Sequence, residues 1–253
     1  MIDFGLLTSM ILAVGVPSLF ANRMGLGNRP EPIAGVEARS DSFLDLALLP
    51  ALMGVIVGRL TTLAIDDPGS LGSIPDMLII RSGVEFWPGL ATATAIVAFG
   101  ARRRFGSDAA IYLATILPPA MIGYGIFEAC CIFRDGCFGP QSRVGLAPKG
   151  LTTTMFPVGI AMGVAVLASA WLIFLLSTRR SLQAPLSMSI GLFAIALVRT
   201  AGSYGLPHIG SGITRQHQTS LVVLALAVVS IGAQVLFSWR RSARVRHQDP
   251  IPN

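Results

Sequence analysis

Ala109-Ala-Ile-Tyr-Leu-Ala-Thr-Ile-Leu-Pro-Pro-Ala-Met-Ile-Gly-Tyr-Gly-Ile-Phe-Glu-Ala-Cys-Cys-Ile-Phe133 is apolar from end to end except for one charge, Glu128. About 20 such residues carry a helix across the hydrocarbon core of a bilayer. The segment therefore predicts a transmembrane helix, kinked at Pro118 and Pro119. Stretches of the same character run over Phe4–Phe20, Phe43–Ile65 and Val84–Ala101 before it, and over Met155–Leu176, Leu186–Arg199 and Thr219–Trp239 after it. The reading is an all-α, polytopic membrane protein with about seven transmembrane helices, the sixth being the shortest. Residues 1–239 form one transmembrane domain and 240–253 a basic cytoplasmic tail. Only Asp3 is charged ahead of the first stretch, so that stretch reads as a retained helix and not a cleaved signal.

Composition agrees. Of 253 residues, 53% are hydrophobic and 13% charged, and the mean hydropathy is +0.68. A soluble domain carries about 25% charged residues. The net charge is +6, and Lys149 is the only lysine. In a soluble protein that excess would suggest nucleic acid. Here the arginines fall between apolar runs, so no nucleic-acid partner is expected and the bias reports orientation. Arg23, Arg29 and Arg39 lie in the first loop, Arg102, Arg103 and Arg104 in the third, Arg179 and Arg180 in the fifth, and Arg240, Arg241, Arg244 and Arg246 in the tail. The second loop instead carries Asp66, Asp67 and Asp76 against Arg81. Placing the basic segments in the cytoplasm puts the N-terminus outside and requires an odd number of spans.

Three charges sit inside apolar runs: Arg59 in the second, Glu128 in the fourth and Arg199 at the end of the sixth. All three fall toward the outer side. A charge at membrane depth costs roughly 2.5–3.5 kcal/mol on insertion scales, so such groups usually line a cavity and find partners. Tyr124, Glu128, Cys131 and Asp135 follow i, i+4, i+7, i+11 spacing and share one helix face, with Arg134 beside them at the boundary. The pattern fits an outward-facing polar cavity for a lipid headgroup. The alternative is a structural Glu128–Arg pair with arginines snorkelling to the interface, and the placing of charges at one depth by three different helices favours the cavity. The expected partners of Glu128 are Arg199, then Arg59, then Arg134. His208 and His217 read as solvated residues of the sixth loop. Cys130, Cys131 and Cys137 contain no CxxC pair, so no metal is expected. Cys130 reads as buried packing. A helix running through Cys131 and Cys137 would hold their side chains apart, so no disulfide is expected between them.

Several segments, taken in order, carry a family resemblance. They are Phe43-Leu-Asp-Leu-Ala-Leu-Leu49 with Gly54-Val-Ile-Val-Gly-Arg-Leu60, Ser82-Gly-Val-Glu-Phe-Trp-Pro-Gly-Leu90, Ala101-Arg-Arg-Arg-Phe105, and Phe127-Glu-Ala-Cys-Cys-Ile-Phe-Arg-Asp-Gly-Cys-Phe-Gly139. Phe156-Pro157, Arg199, Gly212-Ile-Thr-Arg215 and Ser220-Leu221 follow at matching places. The chain resembles the prolipoprotein diacylglyceryl transferase family, in its cysteine-bearing branch. It departs from the pattern at several points. The family's histidine is Trp87, its fourth-helix arginine is Glu128, its Asn or Cys is Cys131, its Gln-Leu-Tyr-Glu is Val158–Ala161, and its sixth-helix glutamate is Ser203. Tryptophan can donate a hydrogen bond but cannot accept a proton. Replacing arginine by glutamate removes a phosphate clamp.

The resemblance implies a bacterial inner-membrane enzyme that moves the diacylglyceryl group of phosphatidylglycerol, or a related anionic phospholipid, onto a cysteine thiol of a prolipoprotein signal segment. The thiol attacks a glyceryl carbon and glycerol phosphate leaves. Arg199, Arg134 and Arg59, with Tyr124, are the candidates for binding lipid and stabilising the departing phosphate. Glu128 and Asp135 are the candidate acid–base groups, and Cys131 and Cys137 are candidates for a thiol role. Neither metal nor cofactor is implied. Two alternatives stand beside this one: a non-catalytic relative that binds lipid or a partner membrane protein, and a small-solute transporter, although no internal repeat is visible.

Overall fold

A computed structural model describes residues 4–21, 43–72, 84–134, 137–148, 150–180, 182–206 and 213–246. Among them are seven α-helices: α1 (Phe4–Ala21), α2 (Phe43–Asp66), α3 (Phe86–Phe105), α4 (Ala109–Ala129), α5 (Val158–Arg180), α6 (Ala184–Gly205) and α7 (Arg215–Arg246). A short strand, β1 (Gln141–Leu146), lies between α4 and α5 and bridges to Met155.

Among the described residues, five helical runs are long and apolar enough to cross a bilayer, and the fold is that of an all-α membrane protein. One of the five, Phe86–Phe133, is not a single rod. Gly106 takes φ 55° and breaks it into α3 and α4, a conformation open to glycine because it has no Cβ. The two halves fold back on each other. Phe105 meets Tyr112 at 4.5 Å between ring centroids near the break, and Phe86 meets Tyr124 at 5.0 Å near the far end. The outward faces are apolar: Val222, Leu226, Val229, Phe237 and Trp239 of α7 are all exposed. In water such a surface would aggregate. In hydrocarbon it is the ordinary lipid-facing side, with backbone polar groups satisfied inside each helix.

Close packing rests on small residues, as expected where apolar surface alone gives no drive for helices to associate. A Cβ added to Gly89 would lie 2.7 Å from the Gly54 carbonyl oxygen, so α2 and α3 touch backbone to backbone. Larger side chains fill the middle, where Trp87, Met121, Val166, Ile173 and Ile195 form a buried cluster. A second cluster of Ala21, Ala101, Phe105, Tyr112 and Ile116 joins α1, α3 and α4 at the end that carries Arg102–Arg104. The opposite end carries Glu128, Arg199 and the cysteines.

Three boundaries and one covalent link differ from the sequence reading. Helix α6 spans Ala184–Gly205, because Pro185 suits a first turn and the helix continues through buried Thr200 and Gly202. Arg199 therefore lies within the helix and not at its end. Helix α4 ends at Ala129, and Cys130–Arg134 form a tighter 3-10 turn. Helix α7 starts at Arg215 and continues to Arg246, so the basic segment up to that residue extends a helix. The fourth difference follows from the end of α4: Cys131 and Cys137 are joined by a disulfide, with Cα atoms 5.9 Å apart. The α-helix that was expected to separate them ends at Ala129, before Cys131. Cys137 takes φ 61°, and its carbonyl accepts from the Gly159 N–H at 3.1 Å, which returns the chain to α5. Cys130 lies outside this bridge and is buried. Denaturing alkylation of unreduced protein should add one alkyl group, and alkylation after reduction three. Three additions without reductant would overturn the bridge.

Candidate functional site

Two side chains on one face of α4 meet one on α6. Tyr124 and Glu128, one turn apart, both accept from Nη1 of Arg199, each at 2.8 Å. The Glu128–Arg199 ion pair is enclosed, with side-chain exposures of 11% and 12%. The guanidinium also lies over the Phe86 ring, 4.0 Å from its centroid. That placement adds a cation–π contact from the first turn of α3. Arg199 was the first of the expected partners of Glu128, and the pairing is direct.

The remaining sequence candidates divide. Arg59 is buried at the same end of the bundle, one residue after Gly58, whose carbonyl accepts from the Glu85 N–H. Cys131 and Cys137 are spent in the disulfide, which packs against Gly159 beside the backbone of Glu128. Neither offers a thiol in this state. The side chain of Arg134, and all of Asp135 and His208, lie outside the described residues. Trp87 is buried and donates its indole N–H to Ser220 Oγ at 2.9 Å. A cavity of about 180 Å³ does exist, but at the opposite end, lined by Leu46, Pro50, Val97, Arg104 and Tyr112 among others.

Two groups at the disulfide end escaped the sequence reading. Arg215 binds both carboxylate oxygens of Asp66, at 2.7 and 3.0 Å, and donates from Nε to Glu85 at 2.7 Å. The three residues come from α7, α2 and the residue before α3, too far apart in sequence for any spacing rule. His217, expected in a solvated loop, is 3% exposed on the first turn of α7. Its ring Nδ1 meets Ser203 Oγ at 2.5 Å, and Tyr204 sits edge-on to the ring at 4.0 Å. A signal for it existed. Thr214 accepts the His217 N–H on Oγ1 at 3.3 Å and on its carbonyl at 3.0 Å. That is the behaviour of a threonine capping a helix start, and reading it so would have placed His217 on the helix.

Neither a protein-family model nor a curated protein matches the chain.

The ion pair makes a measurable demand. Removing one member of a buried pair strands the other and typically costs about 3–5 kcal/mol. Arg199→Met and Glu128→Met should each lower unfolding stability in mixed micelles by about that amount. The double variant should recover most of the loss, because no charge is then left unpaired. Additive losses in the double variant would show that the two side chains are not energetically coupled.

Proposed function

We propose that the chain is a seven-span protein of a bacterial inner membrane that holds the headgroup of an anionic phospholipid at its outer end. We also propose that it acts as a diacylglyceryl transferase of the kind its motifs resemble, delivering the glyceride to a cysteine thiol of a prolipoprotein signal segment. The observation that carries the lipid reading is the state of Arg199. Both of its hydrogen bonds leave from Nη1, so the three N–H groups on Nε and Nη2 are not used by the described residues. Guanidinium groups take phosphate oxygens through such paired donors. Tyr124 and Phe86 hold the group in place, which reduces the ordering cost of binding.

Orientation is supported by two independent features. Twelve arginines fall in the first, third and fifth segments between apolar runs and in the tail, which the positive-inside bias puts in the cytoplasm. The disulfide lies at the other end, and disulfides persist on the oxidising side of a bacterial inner membrane. Single cysteines introduced at Ser70 and Ser211 of a cysteine-free background should react with an impermeant maleimide added from outside, and one at Ser181 should not. Strong labelling at Ser181 would reverse the orientation.

The Glu128 carboxylate favours a second reading, in which lipid is held without chemistry. It neutralises Arg199 and weakens the pull on a departing phosphate. Its Oε1 is also already engaged by Arg199. One experiment separates the two. In nanodiscs, Arg199→Ala should weaken phosphatidylglycerol binding by about ten- to a hundred-fold, the equivalent of ~1.5–3 kcal/mol for a charged hydrogen bond. Arg102→Ala, at the opposite end, should leave binding unchanged. Release of glycerol phosphate on adding a lipobox peptide, lost in Glu128→Gln, supports the transferase. Full lipid occupancy without release supports the binding protein. Equal binding by wild type and Arg199→Ala removes the site.

A further inference from the structure

The cavity at the arginine end lies apart from the Glu128–Arg199 group, and the packing of α2 on α3 explains its shape. Gly89, Ala93, Val97, Gly100 and Arg104 follow three- and four-residue steps along α3 and so form one stripe. Toward the disulfide end of that stripe the two helices touch. A Cβ added to Gly54 of α2 would lie 2.9 Å from the Gly89 carbonyl oxygen and 3.4 Å from the Ala93 Cβ. Toward the arginine end they have parted, and a Cβ added to Gly100 would meet nothing within 4 Å. The gap is a wedge of about 180 Å³, walled by Leu49 and Pro50 of α2 and by Ile96 and Gly100 of α3. Tyr112 of α4, only 2% exposed, closes it on the bundle side.

Shape, lining and charge indicate the occupant. The apolar walls offer water too few partners to hold it there. In hydrocarbon, walls that face a void forfeit the contacts that an inserted chain would restore. Leu49, on the rim, is 57% exposed, so the wedge is open to the medium around the bundle. From Ile96 to Arg104 it follows α3 for about 12 Å. Among the described residues that line it, Arg104 alone is charged, and it stands one turn beyond Gly100 at the wide end. A phospholipid tail runs inward from its phosphate, as the wedge runs inward from Arg104. Basic pockets between spans on the cytoplasmic side suit anionic headgroups. Arg102 falls on the opposite side of the helix from Arg104, and Arg103 lies over the Phe99 ring at 4.2 Å, so Arg104 is the guanidinium at the mouth.

We propose that the wedge between α2 and α3 holds one acyl chain of an anionic phospholipid from the leaflet at the arginine end, with the phosphate of that lipid on Arg104. This is a second lipid site, in the leaflet opposite to Arg199, and it does not depend on what Arg199 binds. The chain fills the gap that two parting helices leave, and the guanidinium selects the headgroup.

The test uses the full chain in phosphatidylcholine nanodiscs doped with a lipid that carries a diazirine midway along one acyl chain, either phosphatidic acid or phosphatidylcholine. After illumination, peptide mass spectrometry compares labelling of Leu49, Pro50 and Ile96 with labelling of Val229, which is exposed on α7. In wild type, phosphatidic acid should label the wedge about tenfold more than phosphatidylcholine does, the effect of one charged hydrogen bond. Arg104→Gln should make the two lipids label it equally, and Arg102→Ala should change nothing. Gly100→Leu puts a side chain into the gap and should reduce wedge labelling by both lipids to the Val229 level, with Val229 itself labelled as before. Arg104→Gln leaves the walls intact and keeps the inference testable if Gly100→Leu does not fold. Equal wedge labelling by the two lipids in wild type, or labelling that survives Gly100→Leu, overturns the inference. Arg199→Ala should leave wedge labelling unchanged whether or not the outer end binds lipid, and its loss in that variant would also overturn the inference.

Discussion

The architecture depends on how Glu128 and Arg199 are reconciled with an apolar medium. Each alone would be expensive at that depth. Together they are stable only with short contact and with other polar bonds satisfied. The 2.8 Å contact between them forces α4 and α6 to meet at one level, and Tyr124 fixes the level by accepting from the same nitrogen. Phe86, against the guanidinium, sets where α3 begins. The next residue, Trp87, carries the constraint to Ser220 on α7. One buried charge pair thus sets the register of four helices, which apolar side chains sliding in hydrocarbon would specify weakly.

The exposed network around Arg215 acts differently. Asp66 and Arg215 are 52% and 39% exposed, and pairs of that kind contribute little stability. Their effect is geometric: a bidentate arginine fork has one good orientation, so the start of α7 is fixed against the end of α2. Glu85 joins the network from its 11% exposed site. Its N–H is held by the Gly58 carbonyl and by Thr62 Oγ1, both at 3.1 Å. Polar contacts therefore organise the disulfide end. The arginine end relies on the apolar cluster around Phe105 and Tyr112 and on the Ser189–Ser230–Gln234 bonds between α6 and α7.

The apolar runs were legible because a helix in lipid needs a long stretch without charge, and length alone reveals it. The partner of Glu128 was legible for a related reason: few charges lie in apolar runs, so the choice was narrow. What stayed hidden depended on where the backbone leaves the helix. At Cys131 the periodicity persists, and nothing in it reveals that α4 stops at Ala129 and that Cys137 turns back. The disulfide was missed there through geometry assumed from pattern. His217 was missed because polar residues at the start of α7 resemble a loop when hydropathy alone is read, although Thr214 marked the boundary. The pairing of Ser203 with His217 spans two helices and has no local signature.

The departures from the transferase pattern have a common electrostatic sense. Where that pattern has an arginine on the fourth helix and an arginine and a glutamate on the sixth, this chain has Glu128, Arg199 and Ser203. The group changes from net positive to neutral. Glu128 reaches Arg199 from across the bundle, on α4, while position 203 on α6 carries no charge. Ser203 faces α7 and is the hydrogen-bond partner of His217. The Glu128–Arg199–Ser203 group is neutral as a whole, and the oriented hydrogen bonds of such a group discriminate between partners by geometry more than they raise affinity by charge.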